Sequence, residues 1–210
     1  MSGDPHQEAG SLDGDVRRLV LAGRVREAAD LMLSRLSPEI RPLLHRLLGD
    51  VALADEANSA TCERLWRGLA SFRWECSLRS WSYIVARREA SRCRSRQLRA
   101  AAAETTLSAA ERMPARGSPT TRPFSTTQAD LLEEVRASLS DEDRDLLILR
   151  VERGLAWKEI ARAFLAEDQP SAESLNREAA RLRQRFRSIR TGVHSAIVRS
   201  RGNDPQSENQ

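Results

Sequence analysis

Between Ala100 and Thr127 the helical periodicity of this chain stops. The stretch holds AAAETT, Met113-Pro114, Gly117-Ser118-Pro119 and TTRPFSTT, with three prolines and few large apolar side chains. It reads as a linker, with a short helix near Leu107–Arg112. A chain of 210 residues interrupted in this way divides into two small domains. Both flanks carry helical spacing, and no long Val/Ile/Thr alternation suggests strands. The expected fold is all-α: two small helical domains on a flexible tether.

The pattern places a disordered lead at 1–14, a helical domain at 15–99, the linker at 100–128, a second helical domain at 129–200 and a polar tail at 201–210. In the first domain, Val16, Leu19 and Val20, then Val25, Ala28, Ala29, Leu31, Met32 and Leu36, fit i, i+3, i+4 spacing, with Gly23 as a break. Ser37-Pro38 reads as a helix start. Ile40, Leu43, Leu44, Leu47 and Leu48 lead to Gly49, a C-terminal stop. Helices are expected over Ala57–Leu69 and Ser80–Leu98, with a loop at Phe72–Leu78. In the second domain, Leu131, Leu132, Val135 and Leu139 make one face. Ser140 and Asp143 resemble a capping box, and Gly154 closes the helix that follows. Trp157, Ile160, Ala161 and Phe164 form a short apolar face. Leu175, Ala179, Leu182, Phe186, Ile189, Val193 and Ile197 form the stripe of the last helix.

Two constellations point to nucleic acid. Leu65–Arg99 holds three of the four tryptophans and the one tyrosine. Trp66, Phe72, Trp74, Trp81 and Tyr83 precede Arg87, Arg88, Arg92, Arg94, Arg96 and Arg99. Aromatic faces can stack on bases, and neighbouring cations can follow phosphates. The second constellation is a short helix, a brief connection and a long basic helix, the layout of a helix-turn-helix. Opposite Leu182 fall Arg177, Ala180, Gln184, Arg187, Ser188 and Thr191. Arg181, Arg183, Arg185 and Arg190 lie on the flanks. Arginine can read guanine and glutamine adenine in a major groove.

Other chemistry finds little support. No phosphate-binding glycine loop, dinucleotide fingerprint, HExxH or GxSxG occurs. Cys62, Cys76 and Cys93 make no CxxC pair, so neither zinc nor a disulfide framework is expected. No cofactor is indicated. With no membrane-length apolar run and a polar, acidic start, a cytoplasmic protein without membrane insertion is expected.

These residues resemble the bacterial extracytoplasmic-function sigma factors of the sigma-70 family. LADEANSATCERLWRGLASFRWECSLRSWSYIVARREASRCR is similar to the family's first domain, over about Ala28–Arg99. LSDEDRDLLILRVERGLAWKEIARAFL is similar to its second, over about Leu131–Arg190. The resemblance implies a specificity subunit, not an enzyme, that binds core RNA polymerase and promoter DNA, with an anti-sigma factor as a further partner. It implies polymerase contacts along Asp55–Leu69, including Asp55, Glu56, Ser59, Leu65 and Trp66. Phe72, Arg73, Trp74, Glu75 and Ser77 would capture a flipped base. Arg79, Arg87, Arg88 and Arg92 would follow the near promoter element. Arg183, Gln184, Arg185, Arg187 and Arg190 would read the far element, flanked by Arg177 and Arg181. In the alternative register, Asn176 and Arg177 are the readers. Ala156 replaces the usual Ser/Thr cap, which implies a helix start weaker by about 1 kcal/mol. The competing reading is a stand-alone helix-turn-helix regulator, which needs no aromatic loop before a basic helix.

Overall fold

The computed structural model describes residues 5–108, 139–165, 167 and 169–202. The described residues are helical, without a strand. Seven α-helices follow in order: α1 (Pro5–Leu21), α2 (Val25–Leu48), α3 (Val51–Gly68), α4 (Leu78–Ser108), α5 (Asp141–Leu147), α6 (Trp157–Phe164) and α7 (Ala172–Gly202). The predicted linker beyond Ser108 and the predicted face at Leu131, Leu132 and Val135 lie outside the described residues. So does most of the predicted tail.

Local chemistry sets most helix ends. Gly23 and Gly49 both take positive φ, at 75° and 67°. Glycine has no Cβ to clash in that conformation, and the Gly49 N–H donates to the His45 carbonyl, closing α2. Asp50 then caps α3 by accepting from the Leu53 N–H at 2.9 Å. Ser140 caps α5 by accepting from the Asp143 N–H at 3.2 Å. Gly154, at φ 67°, turns the chain after a single π-helical turn at Ile148–Glu152.

Several boundaries differ from the sequence pattern. The helix start expected at Ser37-Pro38 does not occur, because α2 runs unbroken through Pro38 and Pro42. An internal proline removes a hydrogen bond and costs about 3 kcal/mol. Ala28, Ala29, Met32, Leu36, Ile40, Leu43, Leu44 and Leu47 nevertheless form one continuous buried stripe. Burying a large apolar side chain is worth about 1.5–3 kcal/mol, so the stripe outweighs the prolines. At the N-terminus, α1 begins at Pro5 rather than at Asp15, and α4 extends through Ala100 to Ser108.

Helices α2, α3 and α4 pack on one another, and α1 lies against α2 and α4. Their shared core includes Met32, Leu36, Ile40, Leu44, Leu65, Leu69 and Leu78, all essentially inaccessible to water. Helices α5 and α6 pack on α7, where Leu146, Ile160, Ala179 and Leu182 are buried together with Leu149 of the π-helical turn. The two helical groups also touch: α4 lies against α6, and α2 meets α5.

Helix α6 shows how a missing cap is replaced. Ala156 has no side-chain acceptor, but the Glu159 carboxylate accepts from the Ala156 backbone N–H at 2.8 Å. This is half of a capping box. Glu159→Ala is therefore expected to destabilise the C-terminal helices by about 1 kcal/mol, read as a lowered midpoint in urea. Glu159→Gln, which keeps an acceptor, should lose less.

Candidate nucleic-acid interface

The aromatic loop leaves α3 through a 3-10 turn at Leu69–Ser71 and enters α4 at Leu78. Phe72 stacks on Trp81, with ring centroids 4.6 Å apart, and meets the edge of Trp74 at 5.1 Å. Trp81 also lies under Gly68, where an added Cβ would sit 3.0 Å from its ring. Trp74 has φ 58°, in the left-handed region that non-glycine residues rarely adopt. Such a backbone costs of order 1–3 kcal/mol and persists only where surrounding contacts impose it. The guanidinium of Arg17 lies 5.7 Å from the Trp74 ring centroid.

Ser77, expected to touch a base, is the N-cap of α4. Its hydroxyl accepts from the Ser80 N–H at 3.0 Å and bonds the Ser80 hydroxyl. In this structure the Ser77 side chain caps the helix start. Glu75 is bridged by Arg73 at 3.0 Å and by Arg162 of α6 at 2.8 Å. Burial pushes the Cys76 thiol up to about 11. It is therefore a neutral side chain near neutral pH, not a reactive thiolate.

A cleft of about 540 Å³ opens beside this loop. Phe72 and Trp81 line it, with Arg64, Arg73, Arg88 and Arg162 around them. Its wall is shared by the two helical groups, since Gln169 and Pro170 come from the segment before α7.

The arginines of α4 divide sharply. Arg87 is buried and bonds the Asp145 carboxylate at 3.1 Å and the Ala163 carbonyl at 3.2 Å. Its guanidinium also lies 3.8 Å from the Phe164 ring centroid. Burial lowers its pKa, and Asp145 opposes that shift. Arg94 reaches the same carboxylate at 2.5 Å. Arg88 donates to the carbonyls of Arg162 and Glu167, at 2.8 and 2.7 Å. Arg79 pairs with Glu39 at 2.8 Å, and Arg92 pairs with Glu89. Of the residues expected at the near promoter element, Arg87 is thus a buried contact between the helical groups. Arg88 joins the same contact, which sequence periodicity could not reveal.

On α3, Asp55 pairs with Arg41 at 3.0 Å and Glu56 with Arg96 at 2.8 Å. The Ser59 hydroxyl donates to the Asp55 carbonyl at 3.1 Å. Trp66 is 46% exposed. Leu65, expected beside it at the polymerase surface, is fully buried. That expectation is corrected: Leu65 and Trp66 are neighbours on a helix, so they point about 100° apart, and only Trp66 faces solvent.

On α7 the predicted stripe is buried at Leu175, Ala179, Leu182 and Ile189, with Phe186 half-buried. Asn176, Arg177, Arg181, Arg183, Gln184, Arg187 and Arg190 are exposed. Arg177 pairs with Glu173 and Arg181 with Glu178, both along the helix. Arg185 departs from its expected reading role. It is half-buried and clasps Asp143, Glu142 and the Ser140 hydroxyl at the start of α5. Those bonds hold the Glu142 carboxyl below its ordinary range.

Among the described residues, no cluster of three or more His, Cys, Asp or Glu could hold a metal ion, and no helix is long and apolar enough to cross a membrane.

Residues 32–100, from the middle of α2 through the aromatic loop and most of α4, match the family model Sigma-70 region 2. No curated protein matches the chain. Among solved structures, the sigma factor RpoE of Bartonella quintana, determined in complex with the anti-sigma factor NepR, aligns at 18% identity and a TM-score of 0.44. The alignment covers 76% of this chain and 94% of that one. Residues 32–100, the part of the chain that holds the aromatic loop and the basic helix, are thus a domain similar to Sigma-70 region 2.

Proposed function

We propose that this protein directs core RNA polymerase to promoters and opens them, using the α1–α4 group for the polymerase and the near element and the α5–α7 group for the far element. The observation that carries the reading is the region 2 match, because it falls on the aromatic loop and basic helix. A stand-alone regulator would have no use for that loop.

In this reading, Trp66, Asp55, Glu56 and Ser59 face the polymerase. Phe72, Arg73, Trp74 and Glu75 take the flipped base, and Arg79 and Arg92 hold nearby phosphate. Arg87 and Arg88 join them once α6 moves off α4. The first turns of a recognition helix usually meet base edges. Helix α7 begins at Ala172, with Ser171 accepting from the Ser174 N–H at 3.1 Å. That start favours Asn176, Arg177 and Arg181 as readers, with Arg183, Gln184, Arg187 and Arg190 further along the helix holding the backbone.

Two experiments test the proposal. In vitro transcription with core enzyme on fragmented genomic DNA should yield discrete start sites sharing two upstream elements. Duplex binding without polymerase, together with no co-elution with core enzyme, would instead favour the stand-alone regulator. In the same assay, Arg177→Ala should relax preference at one base pair, at a cost of about 1–3 kcal/mol. Arg187→Ala should weaken all sequences alike. The reverse pattern would put the readers later on α7.

A further inference from the structure

The helix α1 precedes the region 2 match, which begins at residue 32. Nothing in that match gives it a role. It is nonetheless fastened to the protein. Val16 is fully buried, and Leu12, Leu19 and Val20 pack against the core. This anchoring turns two side chains, one helical turn apart, toward the aromatic loop.

Asp13 reaches the loop's far end. Its Oδ1 accepts from the Leu78 backbone N–H at 3.1 Å. That N–H is among the first of α4, which has no partner within its own helix. Ser77 serves the Ser80 N–H at the same helix start. The α4 start is therefore capped twice, once from within the loop and once from α1. Arg17 reaches the loop's centre, with its guanidinium 5.7 Å from the centroid of the Trp74 ring. Phe72 meets the same ring edge-on at 5.1 Å. Trp74 is also the described non-glycine residue with positive φ. A strained backbone is held only where neighbours over-determine it. Here one such neighbour comes from α1.

We propose that α1 positions the base-capturing loop: Asp13 fixes the point where the loop enters α4, and Arg17 holds Trp74 in its left-handed conformation. The inference rests on the reading of that loop as the segment that takes the flipped base. Asp13 and Arg17 are positioning residues, acting through Leu78 and Trp74. A segment from Val25 onward would keep α2, α3 and α4 whole but lose both holds on the loop.

The test uses the full chain with four variants: Arg17→Ala, Arg17→Lys, Asp13→Ala and Asp13→Asn. Arg17 is exposed, so its variants leave the core intact. The first readout needs no DNA. Acrylamide quenching of each variant, minus that of its Trp74→Phe counterpart, isolates the Trp74 emission. The second is permanganate reactivity of the polymerase complex on a duplex promoter and on one with a pre-melted bubble. Arg17→Ala and Asp13→Ala should increase Trp74 quenching. They should lower opening of the duplex by about threefold, the scale of a surface cation–π contact, and spare the bubble template. Arg17→Lys and Asp13→Asn, which keep a cation and an acceptor, should recover much of the loss. Unchanged Trp74 quenching would overturn the proposal. So would Lys and Asn variants as defective as the alanines. Trp74→Ala in the otherwise intact chain judges the underlying reading separately. If it opens the duplex normally, base capture by this loop fails, while the quenching result still decides whether α1 holds the loop.

Discussion

Asp145→Ala is expected to cost the packed form of the protein about 3–5 kcal/mol, the scale for removing one partner of a buried ion pair. Asp145 has no exposed surface, and two arginines converge on it from α4. Arg87 is nearly as buried. Without the carboxylate, two guanidiniums face each other across a dry contact, and like charges there repel. Two outcomes can relieve this. The C-terminal helices can separate from α4, or the whole chain can lose stability. Small-angle scattering distinguishes them: separation raises the radius of gyration while helicity by circular dichroism holds. Asp145→Asn keeps the shape and one acceptor, so its loss should be smaller. If Asp145→Ala leaves both stability and dimensions unchanged, the contact between α4 and α5–α6 does not form in solution. The same variant bears on function. Separation frees Arg87 and Arg88 from α5 and α6, so Asp145→Ala should bind core enzyme and promoter at least as fast as the parent.

The second large effect distinguishes neighbouring residues on α3. Leu65→Ala should lower stability by about 2–5 kcal/mol, because it leaves a cavity where α2, α3 and α4 meet. Trp66→Ala should change stability little and weaken polymerase binding severalfold or more, since exposed aromatic side chains dominate many interfaces. Urea titration and co-elution with core enzyme measure the two losses. Equal loss of polymerase binding for both variants, with Leu65→Ala still fully folded, would mean that Leu65 becomes accessible on binding.

The pattern of apolar residues was enough to place most helices. Gly23, Gly49, Ser140 and Gly154 announced their boundaries because each has one conformational or capping role. The stripe from Leu175 to Ile189 is buried as its spacing predicts. The break at Ser37-Pro38 was misleading, since local proline chemistry lost to a longer buried stripe. Ala156 looked like a missing cap, yet the compensating acceptor was three residues away at Glu159. Site residues were legible by type rather than by partner. In sequence Arg87 and Arg88 read as exposed residues along the near promoter element, and Arg185 as a reader of the far one. Their partners lie on distant helices, and no periodicity encodes a contact such as Arg87 with Asp145, 58 residues apart. Leu65 and Trp66 were separable in principle, because a helix turns about 100° per residue.

The clasp of Arg185 on the start of α5 bears on the cost of recognition. Binding ordinarily includes an entropic charge for fixing loosely hinged parts. Here the long helix is already tied to its neighbour by bonds to Asp143, Glu142 and Ser140. If α7 is the recognition helix proposed above, its exposed face would meet a groove with its angle set in advance. Loosening the clasp, as by Arg185→Ala, would leave every base-reading side chain in place. The defect would appear as slower capture of the promoter and faster release, with the preferred sequence unaltered.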